Sequence, residues 1–180
     1  MKIKNLSFIL IFLIFNCCQT YKPSIQVLPP HIKTIAVEPF ENKTNIFGLE
    51  DTLRLEVNNE LLKDGRFTVT NDINNSDGYI GGSISYYILQ PIAYGENFEV
   101  QQYKLRVIVD LYFVDRVNNV TLWEEKNLEE VLFFAASTLP GGLTEEEAKK
   151  TVILNLAKKI CLRTIEGFGS VSGRSSKKVP

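Results

Sequence analysis

A chain of 180 residues with 20 lysines and arginines against 21 aspartates and glutamates carries no basic surplus. That argues against a nucleic-acid binder, whose affinity comes largely from neutralising phosphates. With 44% hydrophobic residues the apolar content suffices for one single-core domain.

Lys2 and Lys4 precede an apolar run from Leu6 to Phe15, the pattern of a signal-peptide n-region and h-region. The run is too short for a spanning helix, which needs roughly 20 apolar residues. It closes on Ile14-Phe15-Asn16-Cys17, which resembles a bacterial lipobox, with an aliphatic residue three positions before a cysteine that takes diacylglycerol. Residues 1–16 are thus expected to be removed and Cys17 to carry the lipid, with cleavage before Cys18 as the alternative. Losing residues 1–16 removes Lys2 and Lys4 and no acid, which leaves 18 basic against 21 acidic residues. Only Cys18 and Cys161 would then remain as thiols. A disulfide framework is not expected, and Cys161 reads as a small buried hydrophobe.

Residues 17–31, with Pro23, Pro29 and Pro30 and no helical period, are expected to be an extended lipid-anchored tether. From Ile32 to Phe40 the sequence alternates as a first strand that stops at Pro39. Leu49, Leu53, Val57 and Leu61 recur every fourth residue, predicting a helix over 48–64 with Gly65 at its left-handed C′ position. A second strand over 67–70 and a polar turn over 71–78 follow. The third strand spans Tyr79 to about Leu89, with Ile80, Ile84, Tyr86 and Ile88 on one face and Ser83, Ser85 and Tyr87 on the other. Gly81-Gly82 within it marks a bulge or a close backbone approach. In the fourth strand Tyr103, Leu105, Val107, Val109, Leu111 and Phe113 alternate with Lys104, Arg106, Ile108, Asp110 and Tyr112.

Arg116-Val117-Asn118-Asn119 reads as a hairpin turn, with a fifth strand from Val120 to Glu124 continuing loosely toward Phe134. Thr144-Glu145-Glu146-Glu147 is a capping box that opens a second helix, whose apolar face holds Ala148, Val152, Leu156 and Ile160 and which fades near Gly167. The expected fold class is therefore an α/β (α+β) two-layer sandwich, two helices packed on one face of a mixed four- to five-stranded sheet. It occupies residues 32–168, and residues 169–180 are expected to be a disordered tail.

Groups for catalysis are sparse. His31 is the only histidine and reads as a solvated tether residue, which leaves Ser83 and Ser85 without a base. Gly81-Gly82 lacks the third glycine and following helix of a phosphate cradle. Acids at Glu145, Glu146 and Glu147 suit the positive end of a helix dipole better than a metal. The expectation is a protein that is not an enzyme, with no cofactor and no metal. Two features suggest binding instead. Phe133, Phe134 and Leu139 belong to an apolar, turn-rich stretch that is either a partner-contact surface or a strand continuation covering the core. Lys104 and Arg106, two apart on one strand and so about 7 Å from each other, can bracket a phosphate, or else are an ordinary solvated face.

Together these segments resemble the LptE family of lipopolysaccharide-assembly lipoproteins. The residues that carry the resemblance are the lipobox cysteine, the stretch from Leu28-Pro29-Pro30 through Ala36-Val37-Glu38-Pro39-Phe40-Glu41-Asn42-Lys43-Thr44, the helix from Gly48-Leu49-Glu50-Asp51 to Leu61-Leu62-Lys63-Asp64-Gly65, Leu122-Trp123-Glu124, and Leu143-Thr144-Glu145. What the resemblance implies is a non-enzymatic, acylated (palmitate-bearing) outer-membrane lipoprotein lodged in the lumen of the LptD β-barrel. There it would help that barrel fold and deliver lipopolysaccharide, with Lys104 and Arg106 candidates for the phosphorylated head group. Periplasmic lipoproteins that activate a cell-wall synthase or build a secretion complex share the strand-then-helix start and are the alternative. No Asp follows Cys17, so the sorting expectation is the outer membrane, with the domain facing the periplasm. Several acyl chains anchor stably where one does not. Cys17→Ser should therefore move the protein from the membrane pellet to the soluble fraction, read by fractionation and immunoblot.

Overall fold

Leu105, Val107, Val109, Leu111 and Phe113 fall at every second position of one strand, and all five are fully buried. Alternate side chains of a pleated strand point to opposite faces, so this spacing makes one side of the sheet the floor of the core. In the computed structural model, which describes residues 28–166, the elements run β1 (Thr34–Val37), β2 (Glu41–Asn42), α1 (Leu49–Asp64), β3 (Thr68–Thr70), a 3-10 turn (Ile73–Asn75), β4 (Gly78–Tyr94), β5 (Val100–Asp115), β6 (Val120–Ala135) and α2 (Glu145–Glu166). The sheet order is β3-β1-β4-β5-β6, with β2 also paired to β4. The short strands pair in parallel, while β4, β5 and β6 form an antiparallel meander.

This is the expected two-helix, mixed-sheet α+β fold, with one small difference: the sheet has six strands rather than four or five. The added element is β2, where pairing with β4 resumes after Pro39, a residue with no N–H to donate. The signal peptide, most of the tether and the tail after residue 168 lie outside the described residues.

Both helices follow their sequence signals. In α1, Leu49, Leu53, Val57 and Leu61 are buried, and Gly65 closes the helix at φ 73°. The capping box opens α2 reciprocally: the Thr144 N–H donates to Glu147 Oε2 at 2.8 Å, and the Glu147 N–H donates to Thr144 Oγ1 at 3.3 Å. Val152, Leu156 and Ile160 of α2 join the α1 stripe and the β5 floor in one core. Lys159 meets Glu130 at 2.6 Å and Arg163 meets Glu125 at 3.4 Å, which ties α2 to β6.

The long strands are not regular. Ile84 pairs with Val109 but Tyr86 pairs with Ile108, so Ser85 is an extra residue in β4. The same bulge logic recurs across the other neighbour, where Val109 pairs with Leu128 and Leu111 with Glu125. Asp110 lies at the level of both irregularities and ties them together: Ser85 Oγ donates to its Oδ2 at 2.6 Å and the Asn127 N–H to its Oδ1 at 2.8 Å. Asn127 itself takes a left-handed φ of 56°.

The Ser85 bulge corrects the expected facing of β4. Ile80 and Ile84 are buried as expected, but past the bulge the faces exchange: Tyr87 and Leu89 pack on the core, whereas Tyr86 is exposed. Gly81-Gly82 is a close backbone approach instead of a bulge. A Cβ on Gly82 would overlap the Asp110 carbonyl, and one on Gly81 would strike the Tyr112 hydroxyl and Glu38 carboxylate, which hydrogen-bond at 2.8 Å.

Strands β4 and β5 also run past Leu89, through a register shift at Pro91, to a shared turn. The Phe98 N–H donates to the Gly95 carbonyl at 3.1 Å and the Gly95 N–H to the Glu99 carbonyl at 2.9 Å. This is a three-residue loop whose last position is left-handed, a place that glycine normally fills. Here it holds Phe98 at φ 60°, which costs about 1–2 kcal/mol of backbone strain.

Val109 is fully buried on the core face, and Ile108 is half-buried on the opposite one. Val109→Asp should bury an unpaired charge, cost several kcal/mol and abolish the cooperative thermal transition, while Ile108→Asp lowers the midpoint only modestly. Circular dichroism melts of the two variants distinguish the faces.

Candidate interaction surface

Helices cover one face of the sheet, and the other is uncovered by any described element. Lys104 and Arg106 lie on that open face, opposite Phe133 and Val131 of β6. The Lys104 ammonium sits 5.6 Å from the centre of the Phe133 ring, a cation–π distance. Arg106 Nη1 stands 3.9 Å from Glu129 Oε2, a partly exposed pair that is worth little. Arg106 Nε is buried and makes no hydrogen bond. Both cations are thus held in place on the same face without a strong competing anion.

The structure separates the three apolar residues that the sequence groups together. Phe133 points to the open face and is 62% exposed. Phe134 points the other way, buried, with its ring stacked on Tyr103 at 5.5 Å. Leu139 is half-buried in the turn between β6 and α2. Beneath that turn a cleft of about 340 Å³ opens among Leu89, Glu99, Tyr103, Phe134, Leu143 and Glu145. Glu145 accepts a hydrogen bond from the Tyr87 hydroxyl at 2.9 Å, and burial, followed by that bond, pushes the phenol pKa well up.

The remaining candidates resolve into structural roles. His31 is not simply a solvated tether residue: its Nε2 lies 2.8 Å from Oδ2 of the buried Asp115, which also accepts from Asn118 at 2.8 Å. Burial pushes the Asp115 carboxyl up, but the bonds from Asn118 and His31 outweigh it and hold it below the usual range. The chain entering from the tether is thereby pinned to the end of β5. Ser85 serves the Asp110 clamp, and Ser83 is buried beside Asp110 in the β4–β5 ladder. Of the three acids opening α2, Glu147 caps the helix, Glu146 pairs with Lys149 at 2.6 Å and Glu145 holds Tyr87. No group of metal-binding side chains occurs among the described residues. Burial raises the Cys161 thiol to about 11, so it stays protonated inside the core. Cys17 lies outside the described residues.

Sequence reasoning passed over the β4–β5 turn. Its signal was present in Tyr94-Gly95-Glu96-Asn97-Phe98, turn residues flanked by aromatic ones, but Pro91 breaks the alternation that would have led to it.

The profile of the LptE lipopolysaccharide-assembly family matches residues 32–164, from just before β1 into the last turn of α2. The chain belongs to the LptE family. Its role is therefore in lipopolysaccharide assembly, within a family of non-catalytic lipoproteins. No curated protein sequence matches significantly. Among solved structures, a variant of the PelC dodecamer from Paraburkholderia phytofirmans is similar at 15% identity and a TM-score of 0.50, covering 80% of this chain and 96% of that one. An uncharacterised lipoprotein B from Nitrosomonas europaea is similar at 17% identity and 0.49, covering 77% and 84%. Such likeness concerns the fold alone.

The Asp110 clamp makes stability depend on acid. Hydrogen bonds from the Ser85 hydroxyl and then the Asn127 amide hold its carboxyl below the usual range. A depressed folded pKa contributes stability above the unfolded value of about 3.9, and that contribution is lost as pH falls through the folded value. Asp110→Asn should be destabilised at pH 6 by about 1–3 kcal/mol, and its urea midpoint should fall less than the wild type's between pH 5 and pH 2.5. Equal pH slopes in the two proteins would count against the clamp.

Proposed function

We propose that this protein is an outer-membrane lipoprotein that works as plug and folding partner of the LptD β-barrel, and that Lys104 and Arg106 meet the phosphorylated head group of lipopolysaccharide. The observation that carries this reading is the family match, which runs through every described strand and both helices. Two further features support it. The sheet leaves one face without a helical layer, so that face is free to meet another protein. On that face Lys104 and Arg106 project beside exposed Phe133, a mixture suited to a ligand with both phosphates and acyl chains.

Co-expression of the affinity-tagged full-length protein with LptD, followed by purification from detergent-solubilised outer membranes, tests the partnership. A stoichiometric complex is the expected result. Recovery of a penicillin-binding protein or a secretion component in place of the barrel would overturn it in favour of the alternative class. For the head-group site, the double change Lys104→Glu, Arg106→Glu should weaken lipopolysaccharide binding by purified protein in a salt-sensitive way while leaving the thermal midpoint nearly unchanged. Undiminished binding would remove the two residues from the site.

A further inference from the structure

The β4–β5 turn gives up stability that its sequence could have kept. At the left-handed position of a three-residue hairpin loop, glycine or asparagine avoids the steric penalty that a side chain incurs. Phe98 occupies that position at φ 60° and is 86% exposed, so no packing within the domain offsets the strain. Tyr94, across the loop, is 56% exposed, and Ile92 on the same strand is also exposed. A bulky residue held under strain with nothing to pack against, beside two further exposed apolar side chains, marks a contact made with another molecule.

The loop is also rigid in its own terms. Two backbone hydrogen bonds, Phe98 to Gly95 and Gly95 to Glu99, close it, and a Cβ on Gly95 would collide with the Glu99 carboxylate. The aromatic pair is therefore presented in a fixed shape, so little conformational entropy remains to be lost on docking. Its surroundings are acidic. Glu96 and Glu99 flank Phe98, and among the described residues neither forms an ion pair. Glu99 and Glu145 both line the neighbouring cleft.

We infer that the β4–β5 turn is an anchor whose Tyr94 and Phe98 seat in an apolar pocket of a protein partner, with lysine or arginine side chains on the pocket rim meeting Glu96 and Glu99. The acids decide against a lipid surface: phosphate head groups would be repelled by the charges that flank the aromatic pair, while a cationic rim is attracted. The inference rests on the barrel reading, which supplies the partner.

The test uses the full-length lipoprotein co-expressed with LptD. Phe98→Gly should raise the thermal midpoint of the lipoprotein by a few degrees, because glycine relieves the left-handed strain, and should cut barrel recovery about tenfold. Tyr94→Ser should also reduce recovery. Glu96→Lys with Glu99→Lys should reduce it and flatten its dependence on salt. Barrel recovered equally by wild type and Phe98→Gly overturns the inference alone. A lowered midpoint in Phe98→Gly overturns it by showing that the ring supports the fold. Wild-type protein that recovers no barrel defeats the barrel reading and this inference with it. Binding of the wild type to phosphatidylglycerol vesicles that Phe98→Gly abolishes would overturn it in favour of a membrane contact.

Discussion

One carboxylate governs how the long strands lie. Asp110 stands in the middle of β5 and holds the extra residue of β4 through Ser85 and the irregularity of β6 through Asn127. A single bulge bends one strand; two at the same level, on opposite neighbours of a central strand, form a bend across the whole meander. In β4, everything beyond that line inherits its facing from the clamp. Tyr87 and Leu89 turn inward over the N-terminus of α2, beside Tyr103 of the unbroken β5, and Tyr86 turns outward. Gly82 belongs to the same device, since only a residue without a Cβ lets β4 approach the Asp110 carbonyl so closely.

The parts of the fold that were legible in the sequence are those in which one period runs uninterrupted. In β5 five apolar residues alternate without a break, and in α1 four leucine and valine positions recur every fourth residue between two glycines; each signal reports burial directly. The capping box at Thr144 names its own hydrogen bonds. The bulge was not legible, because Ser85-Tyr86-Tyr87 reads equally well with either tyrosine inward, and the choice is made by Asp110 from a strand 25 positions away in sequence. Pro91 hid the outer part of the hairpin for a local reason: it breaks the alternation without ending the strand. Phe133 and Phe134 looked like one apolar patch, yet adjacent strand residues necessarily face opposite ways.

The same limits apply to the interaction surface. Lys104 and Arg106 were assigned to a shared face correctly, because that follows from period two alone. Their neighbours Phe133 and Glu129 come from β6, and only the register of the second hairpin brings them alongside. His31 is the sharpest case. Nothing in the run Pro29-Pro30-His31 announces a partner, and Asp115 lies 84 positions away, yet the two meet at 2.8 Å.

That contact sets the direction in which the molecule is held. The chain enters the domain at the Asp115 end of β5, with Leu28 buried nearby in the core, while the β4–β5 turn lies at the opposite end, 15 residues along the strand. At roughly 3.3 Å per residue the two ends are about 50 Å apart. Whatever restrains the N-terminus therefore restrains one pole of an elongated body and leaves the other pole at full reach. A tension applied through the N-terminal segment arrives first at the His31–Asp115 contact and then at β1, in the interior of the sheet between β3 and β4, where it must shear parallel ladders rather than peel an edge. The two long hairpins thus set the point where the chain enters the domain and the β4–β5 turn at opposite poles of the fold.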